Sequence, residues 1–225
     1  IEIYTDVDGV MTADPNVVQT AELLNVIEYK DVFQLAEYGA KVIHPRAVEF
    51  AMKANVPVSV LNVKKGRRSE CTVINDGSDI ARGESMFSAV TGLGNCSQVE
   101  IKSTDLKKED AMFSKLAESH ISIDMINIFP DRKNFIIRKE DKRKVSGIMH
   151  KLELDFVVKD DFTKITILGN QICGVPGVMA RIIAVLYSNG IQVFQSTDSS
   201  STISVLVEGK KASNAVNLLH QALIK

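Results

Sequence analysis

Beyond residue 89 the chain repeats itself at an offset of 70 positions, and that repeat constrains the fold more than any other feature of the sequence. Ile121 stands 70 positions before Ile191, and Met149 stands 70 before Leu219. The first unit reads as strand 98–102, helix 110–118, strand 121–129, strand 134–138, helix 142–152 and strand 155–159. The second reads as strand 164–168, helix 176–188, strand 191–196, strand 202–207 and helix 212–223. Val178, Ile182, Val185 and Leu186 fall on one helical face, as do Val145, Ile148, Met149 and Leu152. Ile203, Val205 and Val207 alternate as a half-buried strand does, and so do Ile121, Ile123 and Met125. A βαββαβ order used twice is a ferredoxin-like layout. The second unit runs out one strand short, and the segment 89–93 is a spare strand. The expectation is therefore two interlocked ferredoxin-like units, an α+β region over 89–160 and 161–225.

Residues 1–75 have a different texture, α/β, like a piece of a larger sheet. Ile1 to Tyr4 reads as a buried strand, 31–38 as a helix capped by Asp31 and stopped by Gly39, and 56–61 as a strand. His44-Pro45-Arg46 opens a second helix, with Pro45 in its first turn and Asn55 at its end. The turn cluster Asn75-Asp76-Gly77-Ser78-Asp79 begins a linker over 76–88.

The 225 residues carry a formal net charge of −1, with 45% hydrophobic and 24% charged residues. That balance gives no support for a nucleic-acid or acidic-membrane surface. No apolar run is long enough to span a membrane, and the opening residues read as a strand rather than a leader. Cys71, Cys96 and Cys173 are too far apart for a zinc motif and suit a reducing cytoplasm as buried thiols. His120, His150 and His220 have no metal-ligand spacing, so no metal site is expected. Chemistry concentrates instead at Tyr4-Thr5-Asp6-Val7-Asp8-Gly9-Val10-Met11, directly after the first strand. Carboxylates at the carboxyl end of a strand are where open α/β sheets put ligands. Asp-Gly pairs also form turns with no ligand at all. The basic turn Lys64-Lys65-Gly66-Arg67-Arg68 reads either as a solvated loop or as a phosphate contact. Gly174-Val175-Pro176-Gly177-Val178 is a tight strand-to-helix turn, or a set of free amides that hold a carboxylate. Asp124 lies in an apolar strand and needs a partner, either a ligand ammonium or a nearby lysine.

The stretch from Tyr4 to Pro15 resembles the nucleotide loop of aspartate kinases, and Gly39-Ala40-Lys41-Val42-Ile43-His44-Pro45-Arg46 resembles a second block of that family. The tandem βαββαβ units resemble the ACT regulatory pair of the same enzymes. This resemblance implies the carboxyl-terminal part of an amino-acid-kinase domain followed by two ACT units. The implied activity is ATP-dependent phosphorylation of the L-aspartate side chain, with Mg²⁺ arriving as part of the ATP complex and no prosthetic group. The resemblance also implies feedback by an end-product amino acid, lysine, threonine or diaminopimelate.

Carried over by position, Thr5, Asp6, Val7, Asp8, Met11 and Lys41 fall in the nucleotide site. Ser122, Ile123, Asp124, Val175, Pro176, Gly177, Val178, Ser196 and Asp198 fall in the effector sites. Asn16 departs from the pattern, standing where many relatives carry arginine, and an amide does not replace a guanidinium fork toward phosphate. The turn 103–108 departs too, lacking the Pro-Gly of the second unit. No catalytic residue of the family falls within the chain, which opens on Ile inside a motif. That suggests a truncated or processed product that is inactive by itself. The resemblance admits a cytoplasmic enzyme that dimerises through its ACT units, a regulatory subunit paired with a full-length catalytic chain, or a stand-alone amino-acid sensor.

Overall fold

The computed structural model describes residues 1–40, 42–65, 70–77, 86–170, 172 and 174–224. The chain opens with strands β1 (Glu2–Thr5) and β2 (Val26–Glu28), then helices α1 (Tyr29–Glu37) and α2 (Pro45–Ala54), then β3 (Val58–Asn62) and β4 (Thr72–Asn75). The four strands form one sheet in the order β1-β3-β4-β2. β1 runs parallel to β3 and β2 parallel to β4, while β3 and β4 are antiparallel. Ile27, Val58, Val60 and Ile74 of the sheet pack on Val32 and Leu35 of α1 and on Val48 and Ala51 of α2. This is the α/β piece that the sequence pattern implied.

α1 corrects one expectation. Its cap residue is Glu28, not Asp31, because β2 leads straight into the helix and the backbone turns at Glu28 with no side-chain cap. Asp31 sits inside the first turn. α2 forms as read: Nδ1 of His44 accepts from the Arg46 amide at 3.2 Å, Pro45 occupies the first turn, and Asn55 closes the helix at φ 50°.

The second body comprises β5 (Phe87–Lys102), α3 (Leu106–Glu118), β6 (Asp124–Ile128), β7 (Arg132–Arg138), α4 (Lys142–Lys151), β8 (Asp155–Gly169), α5 (Val178–Ser188), β9 (Gln195–Asp198), β10 (Thr202–Glu208) and α6 (Ala212–Leu223). One six-stranded sheet runs β6-β7-β5-β8-β10-β9. The interlock is carried by β5 and β8, which pair antiparallel along nearly their whole length. The pairing Val99–Val158 belongs to the first unit and Val90–Ile167 to the second. The carboxyl half of β5 is thus the first strand of one unit, and its amino half is the fourth strand of the other. β8 plays the reciprocal parts. What reads in sequence as two strands, 89–93 and 98–102, is one strand with register shifts between Leu93 and Gln98, where Asn95 takes φ 56°. A division at 160/161 falls inside β8, and β5 already begins within the expected linker, whose residues 78–85 lie outside the described residues.

Each unit carries its own helix-covered core. Val99, Ile101, Phe135 and Ile137 pack under Met112 and Leu116 of α3 and Val145 and Met149 of α4. Ile165, Ile167, Val205 and Val207 pack under Ile182 and Leu186 of α5 and Val216 and Leu219 of α6. A smaller cluster of Cys96, Met125, Ile136, Phe162 and Leu206 joins the units away from these helices. Here the amide of Gln195 on β9 donates to the carbonyl of Met125 on β6, so the two edge strands of the sheet are tied to each other. Among the described residues, no helix is long and apolar enough to cross a membrane.

Candidate functional site

The parallel pair β1–β3 places Thr5 directly opposite Asn62, with the carboxyl ends of both strands at the same edge. The loop after β1 therefore emerges beside the turn after β3. Asp8 is held at that junction from two sides. Its Oδ1 accepts from Nδ2 of Asn62 at 2.9 Å, and its Oδ2 from Nζ of Lys65 at 2.8 Å. The Lys65 hydrogen bond, then the Asn62 bond, keep the Asp8 carboxyl below the usual carboxylate range. Thr5 donates from its hydroxyl to Asp6 Oδ1 at 3.1 Å. Val7 lies between the two acids. Met11 forms an isolated bridge with Leu23, and Thr72 Oγ1 accepts from the neighbouring Val10 amide at 2.8 Å. The structure thus gathers Thr5, Asp6, Val7, Asp8 and Met11 on one loop at one sheet edge. Lys41, and Gly66 to Arg68 of the basic turn, lie outside the described residues.

Asn62 and Lys65 are the partners that sequence reasoning did not assign. The signal was available: parallel pairing of the first strand with 58–62 puts the residues just after both strands side by side. Asn16 is committed locally. Its backbone and side-chain amides both donate to Asp14 Oδ1, at 2.9 and 3.0 Å.

The effector candidates separate into two places. Ser122, Ile123 and Asp124, together with Glu37, Tyr38 and Arg138, border a cavity of about 270 Å³ between the end of α1 and the first ferredoxin-like unit. Val175, Pro176, Gly177 and Val178, with Arg181 and Phe87, border a second of about 500 Å³ at the start of α5. Within one chain these groups do not share a pocket. Ser196 and Asp198 belong to β9, an edge strand, and border neither cavity. Asp124 has a lysine partner after all: Nζ of Lys164 approaches its Oδ2 to 2.5 Å, and its Oδ1 accepts from the Met125 amide at 2.7 Å.

The two helix-opening turns differ in a way that bears on carboxylate binding. In the first unit, Asp105 Oδ1 accepts from the amides of Lys107 and Lys108 at 3.0 and 3.2 Å, so the helix end is filled by its own side chain. That cap starts α3 at Leu106, a turn earlier than expected. In the second unit, α5 starts at Val178 and its cap is Gly177, at φ 90°, with no side-chain hydrogen bond. A side chain built at Gly177 would meet nothing within 4 Å. The first turn of α5 therefore has no side-chain cap beside its cavity, and the Val178 amide donates to the Val175 carbonyl at 3.4 Å. Burial raises the Cys96 thiol pKa, which fits an inert core cysteine. Among the described residues, no group of three or more His, Cys, Asp or Glu is placed to hold a metal ion.

Residues 1–62 match the model of the amino acid kinase family, and residues 157–221 match an ACT domain. Aspartokinase 1 of Bacillus subtilis is 35% identical over 227 aligned positions, covering 98% of this chain and 56% of that protein. Over nearly its whole length the chain is similar to aspartokinases. It spans about half the length of the curated relatives it matches, the aspartokinase of Geobacillus stearothermophilus (33% identical, 56% covered) among them. The fold agrees with solved structures. Clostridium acetobutylicum aspartate kinase superposes with a TM-score of 0.89 at 19% identity, over 99% of this chain and 54% of that one. E. coli aspartokinase III in complex with aspartate and ADP gives 0.86 at 24% identity, over 100% and 52%. The same enzyme with lysine and aspartate, in its T-state, gives 0.79 at 23% identity, over 100% of this chain and 52% of that one.

Proposed function

We propose that the protein carrying this chain transfers the γ-phosphoryl group of ATP to the side-chain carboxylate of L-aspartate, and that an end-product amino acid bound at the ACT units controls it. The observation that carries this reading is the convergence of Asp8, Asn62 and Lys65 at the carboxyl ends of the parallel strands β1 and β3. Phosphoryl transfer to a carboxylate demands mostly positioning and neutralisation of charge. On this reading the loop from Thr5 to Met11 holds the nucleoside end of ATP. Lys65, already paired with Asp8, and Lys41 offer positive charge toward its phosphates. Both Asp8 oxygens are engaged by protein groups. That suits a nucleotide contact rather than a resident metal, so Mg²⁺ belongs to the ATP substrate complex.

For the effector, the open turn Gly174 to Val178 and the cavity at Asp124 are the two candidate places. The E. coli relative solved with lysine supports an amino acid as the ligand class, with lysine, threonine and diaminopimelate as the compounds to try. Pairing of two chains through the ACT units would give a homodimer. A cytoplasmic location goes with this activity.

The test is kinetic. In an aspartokinase containing this chain, Asp8→Ala and Lys65→Ala should raise the KM for ATP while leaving the KM for aspartate near its original value. Unchanged ATP kinetics in both variants would remove the nucleotide assignment. Titration of wild-type activity with each of the three amino acids tests the control.

A further inference from the structure

Lys164 is the least expected side chain in the molecule. It lies in the middle of β8 with its side chain only 2% exposed, and Asp124 is the carboxylate that pairs with it. Its ammonium also lies 4.3 Å from the centre of the Tyr38 ring. A lysine charge out of water requires a counter-charge, and an aromatic face adds to its stabilisation. Asp124 borders the 270 Å³ cavity, and so does Tyr38, so the two groups that hold the Lys164 ammonium both face the same space. Arg138 borders it too and forms no ion pair among the described residues.

Tyr38 is more than a wall of that cavity. It caps α1, its amide donating to Gln34 at 2.9 Å and its carbonyl accepting from the Thr91 hydroxyl at 3.4 Å. The next residue, Gly39, takes φ +118°, and a Cβ there would stand 2.6 Å from the carbonyl oxygen of Gly92. The end of α1 thus lies flat on β5, immediately before the 39–46 block. On the other side of Asp124, the Met125 carbonyl accepts from Gln195 of the second unit. Asp124 is the point where the first unit, the second unit and the kinase piece meet.

We propose that Asp124 is an exchange site. Without ligand it holds Lys164, and with an amino acid in the cavity it takes the ligand's α-ammonium while Arg138 faces the ligand's carboxylate. Lys164 then loses its counter-charge. A buried ammonium without one turns toward water, and that removes the cation from the Tyr38 ring and loosens the end of α1. This inference rests on the reading that an amino acid binds at the ACT units, and it names how binding there reaches the kinase piece. The element that switches is specific, the ion pair and the ring it sits under, so the coupling can be measured rather than assumed from proximity.

The experiment is calorimetric titration of the 225-residue chain with L-lysine, L-threonine and meso-diaminopimelate, together with amide hydrogen exchange over residues 33–40. In the wild type, the amino acid that binds should speed exchange over 33–40. Lys164→Met should bind that amino acid several-fold more tightly, because its competitor for Asp124 is gone. It should also exchange fast from the outset, with no further response to ligand. Lys164→Arg, which keeps a cation under the ring, should restore slow exchange and the response. Tyr38→Leu should be fast and unresponsive, whereas Tyr38→Phe should behave as wild type. A purely structural lysine would give weaker binding in Lys164→Met. Equal or weaker affinity with the full exchange response overturns the exchange but leaves effector binding standing. If none of the three amino acids binds the wild-type chain or Lys164→Met, the effector reading fails and the exchange falls with it. If Lys164→Met does not fold, a wild-type exchange response in Tyr38→Leu overturns the proposal alone.

Discussion

Oγ1 of Thr12 and Nε2 of His220 share a hydrogen bond of 2.8 Å, joining two residues 208 positions apart. Thr12 follows Met11 in the loop after β1, and His220, fully buried, belongs to the last helix of the second ACT unit. The same threonine is held on every side. Its hydroxyl accepts from the Glu22 amide at 2.9 Å, and its carbonyl accepts from the Val90 amide of β5 at 2.8 Å. Nearby, the side-chain amide of Asn217 donates to the Val17 carbonyl at 2.7 Å. The loop over residues 10–22 is therefore built into the second ACT unit, and Ala13 and Val18 bury themselves in its core.

That relationship carries the first prediction. His220→Leu should leave the buried Thr12 hydroxyl with the Glu22 amide but without its imidazole partner, and destabilise the chain by about 2 kcal/mol. Thr12→Val should cost a similar amount. The double variant should cost clearly less than the two together, because the residues share one bond. Urea unfolding of the four proteins measures the coupling, and strict additivity would show that the bond contributes nothing.

Asp31 sets a pH dependence. Burial, and then the neighbouring charge of Glu28, push its carboxyl pKa up to about 6 from an ordinary 3.8. The helix start would favour a carboxylate here, and burial outweighs it. A folded-state pKa above the unfolded one means that folding favours the protonated form. The stabilisation is complete below about pH 3.8 and is lost as pH rises through about 6. Asp31→Asn should remove this dependence and make the chain more stable than wild type at pH 7, by up to about 3 kcal/mol. Thermal melts from pH 4 to 7 decide it: parallel curves for the two proteins would show that Asp31 titrates normally.

Much of this architecture was legible because the repeat left one strand missing and one spare. The units could be completed only by interlocking, and β5 and β8 do that. The bend in β5 was not legible: Gly92-Leu93-Gly94-Asn95 looks like a turn, yet the strand runs through it by shifting register. β2 and β4, of three and four residues, are too short for a period to declare itself. In the loop after β1, Asp6 and Asp8 stood out by type and place, whereas Lys65 was read only as part of a basic run. Lys164 offered no local signal, since its partner Asp124 lies 40 positions away on a strand that is not its neighbour in the sheet. His220 was weighed only as a metal ligand, and its actual role depends on a contact that no spacing rule describes.

Gly39 tests how firmly the kinase piece is seated. Gly39→Ala combines an unfavourable φ with a Cβ 2.6 Å from the Gly92 carbonyl oxygen, so backbone must move against backbone. The expected cost is about 2–3 kcal/mol, well beyond an ordinary loop substitution. Gly174→Ala, also at positive φ but with nothing within 4 Å, should cost about 1 kcal/mol. Equal losses in denaturant unfolding would mean that the close approach at Gly92 is not a constraint.

The asymmetry between the two helix-opening turns gives the last prediction. α3 is capped by Asp105, while α5 begins at Val178 after Gly177, beside a cavity and with no side-chain cap. A ligand carboxylate at a helix start needs free amides and room for the backbone to come close. Gly177→Val should therefore abolish amino-acid binding at the α5 cavity, since a β-branched residue at φ 90° cannot keep that turn. Asp105→Ala should leave binding there untouched and cost about 1 kcal/mol of stability through the lost cap. The pair separates the two turns in one set of calorimetric titrations. If Gly177→Val binds lysine, threonine and diaminopimelate as the wild type does, the α5 turn is only a connection between strand and helix. If Asp105→Ala alters the affinity instead, the capped turn of the first unit is the one that meets the ligand.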